Sequence, residues 1–310
     1  MKKLFGITCF IIIAVLIFYF VIPFSKSFHY ETQANCTYTA AARQIIHKDR
    51  WHSWWPGEKI NDTLYEYENY KYRLEKILLN GIKTTVFNNE DSIKGFIQFG
   101  DYGTDSTQFQ WTSNYNYSSN PIAKLSAFFQ RKKIQKNIQS LLDHMQTYFN
   151  KQENVYGMKV AEEKITQSSL MSLKDTFQHY PSTAEIYNMI QPLEDYIHKT
   201  GGEKIGYPML HVQKNEPANF AVMVAIPTAT ILPSQGRFEL KQMVLNSPVL
   251  VGKVKGGILT IIDGVNELSN YVTDYHKLSP AISFQSLVTN RLSEPDTSKW
   301  ITKLYYPVFQ

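Results

Sequence analysis

The stretch PVLVGKVKGGILTIIDGVNELSNYVTDY, residues 248–275, decides how the rest of the chain is read. Its first part, Pro248–Lys255, carries Val249, Leu250, Val251 and Val254 and suits a strand. Gly256-Gly257 breaks that run. Ile261, Ile262, Val265, Leu268, Tyr271, Val272 and Tyr275 then recur at helical spacing, which predicts an amphipathic helix over 258–277. Two more strands are expected at 281–291 and 300–308, with Glu294-Pro295-Asp296 as the turn between them. The same order occurs upstream: a strand at 156–164, a helix at Thr183–Lys199, and strands at 207–213 and 219–226. One such unit has an apolar sheet face that it cannot cover alone. Two units related by a pseudo-twofold axis can join their sheets and leave a cleft between them. The expectation is a duplicated strand-helix-strand-strand domain at 155–310.

Ile186, Ile190, Leu193 and Ile197 place one apolar stripe on the first helix, and Pro192 inside it predicts a kink or break. Thr200-Gly201-Gly202 reads as its C-cap.

The chain begins Met1-Lys2-Lys3 and continues into an apolar run at 4–24, interrupted by Gly6, Thr8 and Pro23. That length spans the hydrocarbon core as a helix and exceeds the apolar region of a cleavable signal peptide, about 7–15 residues. Residues 1–27 are therefore read as a transmembrane signal anchor, although Ser25-Lys26-Ser27 also offers a small-x-small cleavage pattern. The two lysines favour a cytoplasmic N-terminus. The expected location is the cell membrane, single-pass, with the bulk of the chain on the non-cytoplasmic side.

Residues 28–150 alternate as strands and helices. His29 opens a strand over 29–39, and 40–48 reads as a short helix with Thr39 as N-cap. Trp51, Trp54 and Trp55 precede Pro56, as a rigid corner over a core or as a platform on which a ligand stacks. From Leu64 to Tyr117 the pattern is an antiparallel meander, with turn chemistry at Asn80-Gly81 and Asn88-Asn89. A long helix follows Pro121, with Leu125, Phe128, Phe129, Ile134, Ile138, Leu141, Leu142, Met145 and Phe149 in register. Residues 151–154 form a short polar link.

The Trp51–Pro56 corner, the late Trp111 and the 118–121 join to the long helix make 28–150 resemble the START-like, polyketide-cyclase-like (SRPBCC) superfamily. That resemblance implies a helix-grip fold with an apolar cavity between sheet and helix, and no single activity. Gly206-Tyr207-Pro208, Ile226-Pro227, Lys255-Gly256-Gly257, Glu294-Pro295 and the closing Leu304-Tyr305-Tyr306-Pro307-Val308 resemble the GyrI-like effector-binding domain of bacterial transcription activators, over 155–308. Members of that family bind small, often apolar or cationic molecules in the central cleft, and some are reported as hydrolases. Counting back from Pro295, the family's acidic and aromatic positions hold Thr289 and Arg291 here. A buried carboxylate would attract a cation or act as a base; Thr289 only hydrogen-bonds, and Arg291 reverses the sign.

A hydrophobic fraction of 43% and an aromatic fraction of 14% mark folded domains, and the net charge of +5 is too mild and scattered for a nucleic-acid surface. The two cysteines, Cys9 in the apolar run and Cys36 beyond it, form no disulfide framework; Cys36 reads as a small buried residue on a strand. The sequence lacks a nucleophile elbow, a phosphate loop, a dinucleotide fingerprint and a His-Glu-x-x-His zinc motif, and the histidines are dispersed. No cofactor, metal site or catalytic residue is assigned. The overall fold class expected is α+β: a transmembrane helix, a START-like domain and the duplicated domain. The expected function is a membrane-anchored protein that senses or holds a small apolar or amphipathic ligand without catalysis, with membrane and ligand as partners and no nucleic acid. A hydrolase or cyclase acting in one of the cavities, and an interaction module with filled clefts, are the alternatives. The candidate ligand-binding residues are Tyr207, Phe220, Phe284, Thr289 and Tyr305.

Overall fold

The computed structural model describes residues 10, 13, 15, 17, 19–215, 219–279 and 281–309. Much of the apolar run at 4–24 lies outside them, and among the described residues no helix is long and apolar enough to cross a membrane. The chain divides into two compact units, Met1–Val155 and Tyr156–Gln310. Both are α+β, and each is built on one antiparallel sheet.

The first unit runs β1 (Ser25–Ala34), α1 (Tyr38–Ile46), a 3-10 turn at Lys48–Arg50, α2 (Trp51–Trp54), β2 (Glu58–Asn61), β3 (Leu64–Tyr67), β4 (Tyr70–Leu78), β5 (Gly81–Phe87), β6 (Ser92–Asp101), β7 (Thr107–Asn116) and α3 (Pro121–Phe149). Its seven strands lie in the order β1-β7-β6-β5-β4-β3-β2. The first strand ends earlier than its alternation suggests, and the helix cap moves with it. Thr37, not Thr39, caps α1, its hydroxyl accepting from the Ala40 N–H. Cys36 is buried in the bend after β1 rather than on a strand. The polar link beyond α3 is itself a short helix, α4 (Gln152–Tyr156).

Helix α3 starts at an Asn120 cap with Pro121 in its first turn, where the missing N–H costs nothing. Its apolar stripe is used unevenly. Ile134, Ile138, Leu141, Leu142, Met145 and Phe149 are buried, whereas Phe129 is 50% exposed. At the other end of the stripe Lys124 is fully buried; its Nζ donates to the Tyr19 carbonyl (2.9 Å) and lies 3.7 Å from the centre of the Phe24 ring. A carbonyl and an aromatic face are both favourable neighbours for a buried ammonium group.

Aromatic side chains crowd the seam between the sheet and α3. Trp51, Trp54, Tyr65, Tyr72, Phe109 and Trp111 are almost completely buried. Phe109 packs on Phe149 of α3 at 5.2 Å between ring centres, and Trp51 packs on Tyr65 at 4.9 Å. The Tyr72 hydroxyl is answered across the seam: it donates to Asn137 Oδ1, and the Asn137 amide donates to Glu68 at 3.1 Å. Of the two readings of the tryptophan corner, the packed core is the one observed.

The second unit runs β8 (Val160–Lys164), β9 (Ser169–Phe177), α5 (Thr183–Lys199), β10 (Met209–Asn215), β11 (Asn219–Pro227), β12 (Phe238–Gln242), β13 (Pro248–Lys255), α6 (Ile258–Asp274), β14 (Phe284–Leu287) and β15 (Ile301–Pro307). The opening strand of the first repeat is thus β9, not the 156–164 stretch. Ser169 and Ser172 hid it; both are buried, with the Ser172 hydroxyl donating to the Glu239 carbonyl at 3.0 Å. Helix α5 also runs unbroken through Pro192. Six buried side chains, Ile186, Met189, Ile190, Leu193, Tyr196 and Ile197, hold it against the sheet. At about 1.5–3 kcal/mol each, they outweigh the roughly 3 kcal/mol cost of an internal proline. A Ser182–Glu185 capping box starts the helix. Gly201, at φ 73°, ends it, and the Gly202 N–H reaches back to the Ile197 carbonyl at 2.8 Å. Helix α6 stops at Asp274, short of the expected 277, and lies close to its sheet: a Cβ on Gly264 would meet Val254 at 2.8 Å and Leu304 at 2.9 Å.

The strand order is β12-β9-β11-β10-β14-β15-β13-β8, so β9, β11 and β10 are mirrored by β13, β15 and β14. The two ends of this sheet meet. Ser169 faces Gln242 and Lys164 faces Pro248, so residues 243–247 run against 165–168 with one extra residue. Backbone bonds continue through the bend: Met243 N–H to the Ser168 carbonyl at 2.8 Å, Asn246 N–H to Ile165 at 2.9 Å and Ile165 N–H to Ser247 at 3.0 Å. β8 and β9 are therefore one bent strand, and so are β12 and β13. The eight segments close as a six-stranded barrel, with a bulge at the bend. Closure leaves few free strand edges.

Candidate functional site

A closed six-stranded barrel has no room inside for a helix, so α5 and α6 lie outside it. Met171, Leu173, Leu210, Val222, Val224 and Ile226 turn outward into the α5 core. Alternation then sends the intervening residues into the lumen. There the structure has a cavity of about 610 Å³, bounded by Leu170, Met209, Met223, Ala225, Met243 and Phe284 and by the bend residues Ile165 and Pro248. This falls within the about 300–1,000 Å³ of small-molecule sites. Its mouth is apolar as well: Val244 is 75% exposed, Phe309 59% and Ile282 48%. Methionines on three walls give an adaptable surface, because the thioether chain repacks easily.

Polar groups in the wall are few. Among the described lining residues the charged ones are Lys174 and Lys241, and no carboxylate lines the cavity. Both lysines reach Glu239, at 3.3 Å and 2.8 Å. The ammonium groups of Lys241 and Lys174 beside it hold the Glu239 carboxyl below the usual carboxylate range. His211 lies in one row with Met223 and Lys174 on three adjacent strands. Its Nδ1 is 2.7 Å from the Ser283 carbonyl, which can only accept, so Nδ1 carries the proton. Nε2 is sealed from solvent and has no hydrogen-bond partner among the described residues.

The candidate residues separate into groups. Phe284 lines the cavity, and Tyr305 stacks against it at 4.8 Å between ring centres. Burial raises the Tyr305 phenol above its ordinary value. Phe220 sits elsewhere, against Tyr180 (5.9 Å) and the α5 core. Tyr207 is 53% exposed in the segment before β10. Thr289 is held in the turn after β14: its N–H donates to the Ile301 carbonyl at 3.2 Å and its Oγ1 accepts from the Ile301 N–H at 2.9 Å. Neither Tyr207 nor Thr289 lines the cavity. Arg291 is buried nearby, its guanidinium 5.0 Å from the Trp300 ring centre and donating to Thr302 Oγ1 at 3.0 Å; burial lowers its pKa.

Lys174 and Lys241 escaped the sequence reading because β9 and β12 did. Once β9 is a strand, Leu170, Ser172 and Lys174 share a face by simple alternation. Among the described residues no group of three or more His, Cys, Asp or Glu is placed to hold a metal ion.

No family model matches the sequence, and no curated protein matches it. Solved structures are similar in part. A cryo-EM structure of an EcmrR–DNA complex aligns at a TM-score of 0.45 and 17% identity, over 60% of this chain and 72% of that one. The crystal structure of the EcmrR C-terminal domain aligns at a TM-score of 0.43 and 15% identity, over 49% of this chain and 98% of that domain. The di-domain ARO/CYC protein BexL, from the BE-7585A biosynthetic pathway, aligns at 0.32 and 8% identity, over 91% of this chain and 85% of its own.

Proposed function

We propose that the chain is a membrane-anchored protein that binds a small apolar or amphipathic molecule in the lumen of its second unit, without catalysis. The observation that carries this is the cavity of about 610 Å³ with apolar walls and an apolar mouth. Among the described residues the lumen wall brings lysines and a tethered histidine but no carboxylate, which favours holding a molecule over the carboxylate-dependent hydrolysis considered above. The apolar run at 4–24, led by Lys2 and Lys3, supports anchoring with both units on the non-cytoplasmic side.

The test uses the full chain in phosphatidylcholine nanodiscs and the neutral dye Nile red. Saturable fluorescence above that of empty discs is expected, and Ala281→Trp, which adds bulk at an exposed position of the cavity wall, should reduce it. No saturable signal from the parent chain would refute the proposal.

A further inference from the structure

We infer that the ligand of the lumen carries an oxyanion head, a carboxylate or phosphate, on its apolar body, and that Lys174 and Lys241 read that head. This rests on the proposal that the lumen binds an apolar molecule. The register places the two lysines on adjacent strands with Glu239 between them: Ser172 faces Glu239 and Leu170 faces Lys241, so Lys174 lies two residues beyond on the same face. Both ammonium groups meet at one oxygen, Glu239 Oε2. Two cations share one carboxylate, which leaves a net positive charge at this part of the wall. Glu239 itself does not line the cavity, whereas both lysines do. Their side chains are 56% and 42% exposed, so their remaining N–H donors are accessible to a ligand. Ammonium groups can only donate, and an oxyanion accepts from both at once. A cation would meet two like charges whose counter-ion is already engaged. Glu239 thus stands where a ligand head would compete, as an internal substitute for it.

The experiment displaces Nile red from the full chain in phosphatidylcholine nanodiscs, with empty discs subtracted, using four probes of one chain length: octanoate, octyl phosphate, octanol and octyltrimethylammonium. The two anions should bind at least fivefold more tightly than octanol, and the cation least. Whichever anion is tighter names the head as carboxylate or phosphate. Each of Lys174→Met and Lys241→Met should weaken the anions about fivefold, the scale of one partly exposed ion pair, and leave octanol unchanged. Glu239→Gln should tighten them. Added salt should weaken the anions and not octanol. Thermal unfolding of each variant confirms that it is folded. Dye binding with no preference between anion and octanol, or with preference for the cation, overturns this inference and leaves the apolar lumen standing. Absence of dye binding overturns both.

Discussion

Phe284 and Tyr305 stack face to face across the β14–β15 pair, with ring centres 4.8 Å apart and planes within 5° of parallel. One ring forms cavity wall, and the other is braced behind it against Val249, Val251 and Ile165. Phe284→Ala should cost about 1–2 kcal/mol, below the roughly 3–5 kcal/mol of a fully buried aromatic, and should weaken Nile red binding. Urea unfolding and dye titration measure the two effects separately. A loss of more than about 4 kcal/mol would make Phe284 core rather than wall.

Asn246 holds φ at 60° in the bend that closes the barrel, while its N–H bonds to Ile165. Asparagine and glycine tolerate that conformation, and β-branched residues do not. Asn246→Val should lose about 1–2 kcal/mol, and Asn246→Gly should stay close to the parent. Equal stability of the two variants in urea would contradict this account of the bend.

Glu185 accepts from the Ser182 N–H at 2.8 Å and the Ser182 hydroxyl at 2.7 Å, and these bonds hold its carboxyl below the ordinary value. A depressed carboxyl pKa contributes stability that is present above the unfolded-state value, about 4.3, and lost as pH falls through the lower folded value. The parent should therefore melt higher than Glu185→Gln at pH 7, with the gap closing below about pH 4. A gap independent of pH would show that the charge of the capping box contributes nothing.

Tyr156 donates to the buried Asp274 at 2.9 Å and packs on Tyr271 at 5.1 Å. A fragment beginning at Gln152 should unfold cooperatively, and one beginning at Met158 should be measurably less stable. Circular dichroism melts of the two fragments test this. Absence of a cooperative transition in the longer one would mean that the second unit does not fold by itself.

The parts legible in sequence were those whose periodicity matched their burial. Both helices of the repeat show their buried stripes directly, and β13 reads as a strand from Val249, Leu250, Val251 and Val254. β9 was missed because Ser169 and Ser172 look like loop residues, and only their partners on neighbouring strands show why burial is tolerated. The cavity lysines looked like ordinary solvated charge, since Lys174 and Lys241 are far apart in sequence and converge only through the β9–β12 register. In the first unit the aromatic residues were all visible, but that Trp51, Tyr65, Tyr72 and Trp111 are buried is a matter of packing.

The bent strands also tie the two repeats together. β8 precedes the first repeat yet pairs with β13 of the second; β12 precedes the second repeat yet pairs with β9 of the first. Each repeat lends its leading arm to the other. Two separate copies of one repeat, each offering that arm to its twin, would form the same barrel as a twofold dimer with exchanged segments. In this single chain the exchange is intramolecular and the halves differ: one lumen face carries Lys174 and Met223 where its counterpart carries Val251 and Tyr305. Asymmetry inside a pseudo-symmetric shell is what a single-chain protein can evolve and a homodimer cannot.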